Sequence, residues 1–149
     1  MSSININKFY GTHTCATQTG GRPSGGVSCY FKPTLGPTKT ILKEENLLVL
    51  TTDTLGVIAL YMKPKTSAEE VIEVVMTAIT AVGDKENIIL AGDLNCRIDK
   101  DNTKTQLVLE SLEEQGFTLA TERDTPTYIE PNGISIIDLL IYKGKHVKI

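Results

Sequence analysis

The sequence predicts an α/β (α+β) fold in which strands outnumber helices and the helices pack on the outside of the sheets. Four strand-like segments follow one another between residues 27 and 62, with no helical segment among them. Two amphipathic helical segments come later, and each has a single apolar face. Because the early strands lack crossover helices, a two-sheet sandwich flanked by helices fits this order better than a Rossmann sheet.

The early strands are short apolar runs bounded by turn residues. They are predicted at residues 27–31, 39–42, 47–52 and 55–62. Asp53 and Thr54 separate the last two strands and suit a hairpin. The glycine-rich segment Gly20–Gly26 is predicted to be a loop. It is not a Walker loop, since no Gly-Lys-Ser/Thr follows and the next element is a strand.

The first predicted helix has a clear start and end. Ser67 and Glu70 have the spacing of a capping box, and Gly83 is a typical stop. The apolar positions between them fall on one helical face; they are residues 71, 74, 75, 78, 79 and 82.

The second helix is predicted at about residues 102–115, and short strands follow it. Its inward residues are predicted to be Leu107, Val108 and Leu112. A short strand is expected at 117–120 and a final strand at 134–142, with Asp138 in its middle.

Composition indicates one ordinary globular domain over residues 1–149. The chain is 40% hydrophobic and 22% charged, and its formal net charge of −3 gives no global signal for nucleic-acid or membrane binding.

Three cysteines without metal-ligand spacing predict free thiols in a reducing compartment. The chain has no signal-like run and no membrane span, so an intracellular (nuclear or cytoplasmic) domain is expected. Residues 1–20 are expected to be flexible, and 143–149 form a basic tail.

The strongest candidate site follows the apolar run from Ile88 to Ala91. The run has the composition of a buried strand, stops at Gly92, and presents Asp93 and Asn95 with one residue between them. On an extended backbone these two side chains would point to the same side. Strand ends often carry reaction chemistry, but an Asx-type turn that bonds local backbone is an equally good interpretation here.

Other candidate residues each have a functional and a structural interpretation. Asp138 lies in an apolar run, so it either finds solvent or a buried donor, or works with Asp93 on a metal or a water. Tyr61 ends a strand and could donate a hydroxyl hydrogen bond to a phosphate oxygen. Arg22 and Lys63 lie in or beside loops, where they bind phosphate or remain solvated surface charges.

Five segments in order resemble the endonuclease/exonuclease/phosphatase superfamily. Within it, they are most similar to the endonuclease domain of non-LTR retrotransposons, which is related to apurinic/apyrimidinic endonucleases. The segments are Gly21–Val27 (Gly-Arg-x-x-Gly-Gly-Val), Ala59–Pro64 (Tyr-x-x-Pro), Gly92–Asn95 (Gly-Asp-Phe-Asn in the family), Pro126–Tyr128 and Ser135–Leu140 (Ser-x-Ile-Asp). The resemblance covers roughly residues 9–142.

The resemblance implies a four-layer α/β/β/α sandwich that hydrolyses DNA phosphodiesters with Mg²⁺. It implies that Asp93 aligns or deprotonates the attacking water and contributes to the metal site. Asn95 would hold Asp93 and a phosphate oxygen, and Tyr61 would donate to the phosphate. Asp138 would orient a histidine against the scissile phosphate.

Two family residues have no counterpart in this sequence. Family members carry a metal-binding glutamate before the Gly-Arg segment, whereas the first glutamate here is Glu44. The family's terminal Ser-Asp-His is also missing, because no Ser-Asp precedes His146. We therefore expect an incomplete Mg²⁺ site and a weak or inactive nuclease.

The missing strands predict an incomplete sandwich with an exposed sheet edge, which a homodimer or another protein would cover. The competing function is a repurposed, non-catalytic module that binds a protein, itself or nucleic acid. No membrane partner is expected.

Overall fold

The computed structural model describes residues 8–17, 21, 23–131 and 133–145. Half of the predicted flexible segment, residues 1–7 and 18–20, and the end of the basic tail, residues 146–149, lie outside these residues. The strands and α-helices are β1 (Tyr10–His13), β2 (Ser28–Phe31), β3 (Lys39–Glu44), β4 (Leu47–Thr51), β5 (Leu55–Tyr61), α1 (Ala68–Val82), β6 (Asn87–Asp93), α2 (Thr103–Glu114), β7 (Thr118–Leu119), β8 (Tyr128–Glu130), β9 (Gly133–Ser135) and β10 (Asp138–Lys143), and a 3-10 helix spans Pro33–Leu35.

A six-stranded sheet in the order β3-β4-β5-β6-β10-β7 forms the centre of the described domain. Strands β5 and β6 are parallel and are joined by the crossover helix α1, whereas the other neighbours are antiparallel. Two ribbons, β1-β2 and β8-β9, lie outside this sheet. The mixed α/β class predicted from the sequence is confirmed, and so is the β4-β5 hairpin at Asp53 and Thr54.

One face of the sheet carries the main core. Apolar side chains from four strands pack with both helices there. The buried side chains of this core include Val49, Ile58, Leu60, Val71, Val75, Ala78, Leu90, Val108, Leu139 and Ile141. Burying each large aliphatic side chain contributes about 1.5–3 kcal/mol. Because strand side chains alternate between faces, this packing directs Tyr61, Asp93 and Asp138 to the other face.

Helix α1 begins at the predicted capping box. The Glu70 backbone N–H donates to Ser67 Oγ at 3.2 Å, and the Ser67 N–H donates to Glu70 Oε2 at 2.9 Å. The helix ends at Gly83, whose φ of +73° favours glycine. Within the described residues, no helix is long and apolar enough to cross a membrane.

Helix α2 has the predicted extent, but one inward residue was predicted wrongly. Val108 and Leu112 are buried as expected, together with Thr105. Leu107 is 43% exposed, because it lies roughly 100° around the helix from Val108 and falls outside the buried stripe.

The prediction of one final strand with Asp138 in its middle was wrong. The segment forms β9 and β10, and Asp138 is the exposed first residue of β10. The N–H groups of Ile137 and Asp138 both donate to Thr127 Oγ1 at 3.1 Å, which takes them out of a continuous strand ladder. Strand β1 was also missed, because residues 1–26 are poor in apolar residues.

Candidate active site

Three candidate side chains form a row across three neighbouring strands. Strand β6 lies between β5 and β10, and Asp93 is in register with Tyr61 on one side and with Asp138 on the other. Neighbouring strands are about 4.8 Å apart, and residues in register point to the same face. The sheet therefore places a phenol and two carboxylates side by side; we call Tyr61, Asp93 and Asp138 the polar row.

Asn95 holds Asp93 from the loop that follows β6. Its backbone N–H donates to Asp93 Oδ1 at 2.8 Å, and its side-chain Nδ2 donates to Met62 O at 2.6 Å. The Met62 N–H in turn donates to Asp93 O at 2.7 Å. These bonds tie the end of β6 to the end of β5, which carries Tyr61.

Asp93 and Asn95 form the Asx-type turn that was one interpretation of the sequence, and this turn lies within the candidate site. Asn95 has a φ of +49°, so the backbone turns there and does not continue as a strand. The expectation that Asp93 and Asn95 emerge together from an extended backbone was therefore wrong. Asp93 lies on the strand, and Asn95 folds back to fix the Asp93 carboxylate.

The environment of Asp93 opposes its negative charge. Burial raises the pKa of this half-buried carboxyl, and the nearby charge of Asp138 also raises it. The hydrogen bond from the Asn95 N–H and the charge of Lys104 lower the pKa, but the net direction is upward. A carboxylate with a raised pKa is a better proton acceptor than an exposed aspartate.

The other members of the polar row are accessible. Tyr61 is half-buried and Asp138 is exposed, and neither side chain has a hydrogen-bond partner among the described residues. Lys63 is exposed two residues beyond Tyr61. Arg22, the other predicted phosphate ligand, lies outside the described residues.

Lys104 also belongs to the site, although the sequence analysis did not single it out. Its Nζ donates to Asn95 O at 3.3 Å, and its charge acts on Asp93. The sequence signal that could have identified Lys104 is its position. It is a basic residue in the first turn of a predicted helix, where the helix dipole disfavours positive charge.

An ion pair that the sequence analysis missed connects the loop after β6 to the segment before β10. Arg97 binds Asp99 through two hydrogen bonds, of 2.6 and 3.2 Å, and also donates to Ile134 O at 2.8 Å. Asp99 Oδ1 accepts the Ile136 N–H at 3.3 Å. The pair thus links the two segments that present Asn95 and Asp138.

Replacing Arg97 with glutamine is expected to reduce stability in a pH-dependent way. The pKa of Asp99 is lowered from 3.8 to about 2, chiefly by the Arg97 hydrogen bonds and further by the backbone N–H groups of Ile136 and Asp99. A lowered folded-state pKa adds stability above pH 3.8, and this stability is lost as the pH falls towards 2. Chemical unfolding should show Arg97→Gln less stable than wild type at pH 7, with a difference that shrinks between pH 3.8 and 2.

Arg123→Gln is the control, because Arg123 is exposed and forms no ion pair with any described residue. A constant difference between Arg97→Gln and wild type at every pH would contradict the role of the ion pair. The effect should be modest, since both partners are accessible to solvent.

The described residues do not fit a complete protein-made metal site. They contain no group of three or more histidines, cysteines and acidic residues placed to hold a metal ion. Asp93 and Asp138 are two carboxylates, and Mg²⁺ held by so few protein ligands depends on water and substrate phosphate for the rest.

Comparison with known proteins identifies the family. The model of a family described as endonuclease-reverse transcriptase matches residues 55–148, which include the whole polar row. The chain belongs to this family. No curated protein matches the sequence.

Solved structures show that the fold of this chain is similar to that of the endonuclease/exonuclease/phosphatase superfamily. The endonuclease domain of TRAS1, a telomere-specific non-LTR retrotransposon, matches with a TM-score of 0.69 and 19% identity over 88% of this chain. An endonuclease/exonuclease/phosphatase family protein from Leptotrichia buccalis C-1013-b matches with a TM-score of 0.58 and 11% identity over 92% of this chain. The chain spans 66% and 61% of the lengths of these two proteins.

Proposed function

We propose that this retrotransposon endonuclease-like domain binds a DNA phosphodiester over the polar row and hydrolyses it only weakly. The observation that carries the proposal is the register that puts Tyr61 and Asp138 on either side of Asp93. A hydroxyl donor beside a carboxylate of raised pKa suits a reaction in which water attacks phosphorus.

Each residue has a task that follows from its position. Asp93, held through Oδ1 by the Asn95 N–H, accepts a proton from the attacking water and aligns it. Tyr61 donates its hydroxyl hydrogen to a phosphate oxygen. Asn95 uses one Nδ2 hydrogen on Met62 O, and its second Nδ2 hydrogen donates to a phosphate oxygen.

The low rate follows from the charges in the polar row. A phosphodiester over this row meets two carboxylates, whose negative charges repel it. The family's Mg²⁺ would offset this repulsion, but the described residues supply too few ligands to hold the ion before DNA binds. The row itself contains no histidine for Asp138 to orient, and His146 lies outside the described residues. Catalytic groups that act as a unit lose most of the rate when members are absent.

A plasmid-nicking assay with Mg²⁺ or Mn²⁺ tests the proposal. Wild type is expected to nick slowly, and Asp93→Ala is expected to show no nicking above background. Asp84→Ala is the matched control, because Asp84 is exposed in the turn that precedes β6, at the opposite end of that strand. Nicking that survives in Asp93→Ala would show that it does not arise at this site. A chain that neither binds nor nicks DNA would overturn the proposal.

The second candidate is a non-catalytic module that binds a protein or another copy of itself. Two apolar rows lie on the same face as the polar row and are only half-buried in the described domain. They consist of Ala59, Ala91 and Leu140, and of Val57, Ile89 and Tyr142. Such a face is typical of an interaction surface. Sedimentation that showed a strict monomer at high concentration would remove the reason for self-association.

A further inference from the structure

We infer that the Lys104 ammonium group binds a DNA phosphate at this site and allows the domain to hold DNA without a divalent cation. The inference rests on the proposed function and deepens it, because it names a residue that contacts the backbone of the substrate. In this arrangement the only cation that DNA binding requires is the ammonium group of Lys104.

The position of Lys104 is determined by helix α2 and by the turn at Asn95. Lys104 is the second residue of the helix, and its half-buried side chain reaches back so that Nζ donates to Asn95 O at 3.3 Å. An ammonium group has three donors, and this bond uses one of them. The remaining donors lie beside the loop that holds Asp93.

The first turn of α2 is an unfavourable place for a lysine. The N-terminal end of a helix carries partial positive charge, which favours acidic residues there, and this turn contains none. The Asn102 side chain already accepts the backbone N–H groups of Lys104 and Thr105, at 2.9 and 3.4 Å. The backbone donors of Lys104 and Thr105 are thus occupied, so Lys104 meets an anion through its side-chain ammonium group.

The negative groups of the site explain why a cation is useful here. Asp93 and Asp138 interact unfavourably with each other, whereas Lys104 interacts favourably with Asp93. A phosphodiester adds another negative charge beside these two carboxylates. An ammonium group within reach of the Asn95 carbonyl offsets part of that repulsion without any metal.

The test is the salt dependence of duplex DNA binding in EDTA. Each phosphate contact contributes about 0.9 to the slope of log affinity against log salt concentration. Lys104→Gln is expected to reduce the magnitude of the slope by about 1 and to weaken binding equally for different DNA sequences. Lys104→Arg, which keeps the charge, should retain the wild-type slope.

Lys85→Gln is the matched control. Lys85 is also half-buried and donates to a backbone carbonyl, Asp53 O at 2.9 Å, but it lies just before β6 at the far end of that strand. This variant should keep the wild-type slope. Lys104→Met provides a second neutral variant that keeps the aliphatic stem, and thermal unfolding verifies that each variant is folded.

The outcomes separate this inference from the proposed function. If wild type binds DNA in EDTA and Lys104→Gln has the same salt dependence of affinity as wild type, the inference is overturned and the proposed function stands. Binding that requires Mg²⁺ would likewise overturn the inference alone. Absence of DNA binding with and without Mg²⁺ would overturn both.

Discussion

Gly92→Ala is expected to lower the free energy of unfolding by at least about 3 kcal/mol, from backbone strain and a clash combined. Gly92 has a φ of +149°, which side chains rarely adopt. An added Cβ would overlap Leu60 O and lie 2.9 Å from Leu60 C. Both atoms belong to the backbone of β5, so they cannot move without disrupting the parallel pairing that aligns Tyr61 with Asp93.

Gly133→Ala is the matched control for this prediction. Gly133 has nearly the same backbone angle, a φ of +153°, but an added Cβ would meet no atom within 4 Å. Both variants carry a similar backbone strain. The difference between their free energies of unfolding in urea therefore measures the clash alone. Equal stability of Gly92→Ala and Gly133→Ala would show that β5 and β6 do not approach as closely as described.

Asp93→Asn is expected to stabilise the domain at pH 7 while it removes nicking. Burial and the charge of Asp138 raise the pKa of Asp93 above 3.8, so the folded state prefers the uncharged form. The stability that this group contributes is fully present below pH 3.8 and is lost as the pH rises through the raised pKa. Asparagine has no such loss, and its Oδ1 can still accept the Asn95 N–H.

Thermal unfolding at a series of pH values checks this prediction. Asp93→Asn should have a higher melting temperature than wild type at pH 7, and the gain should disappear below pH 3.8. Asp84→Asn, an exposed change outside the site, should show no comparable gain. A lower melting temperature for Asp93→Asn at pH 7 would mean that the Asp93 charge stabilises the fold. Functional sites often keep a charged group that lowers the stability of the fold.

Elements whose signals are local could be predicted well from the sequence. The capping box at Ser67 and the apolar face that follows it determine helix α1, and both lie within a few turns of chain. The apolar run at Ile88–Ala91 predicts β6 in the same way. Family membership was also accessible, since five motifs in order predicted the family that the matched residues 55–148 confirm.

Features that depend on distant residues were missed or misplaced. The break between β9 and β10 depends on Thr127, which is 11 residues before Asp138 and accepts its N–H. The link from Asp99 to the Ile136 N–H spans 37 residues. No local pattern of apolar and polar residues contains this information, because a side chain has diverted backbone donors from the strand ladder.

The sequence by itself determined that Asp93 ends a buried strand, because an apolar run that stops at glycine and aspartate is a local signal. Only the tertiary structure determined which side chains lie beside Asp93. The β5-β6-β10 register places Tyr61 and Asp138 next to Asp93, and helix α2 brings Lys104 to Asn95. These neighbours are set by strand pairing and helix packing over long sequence separations, which depend on the packed core as a whole.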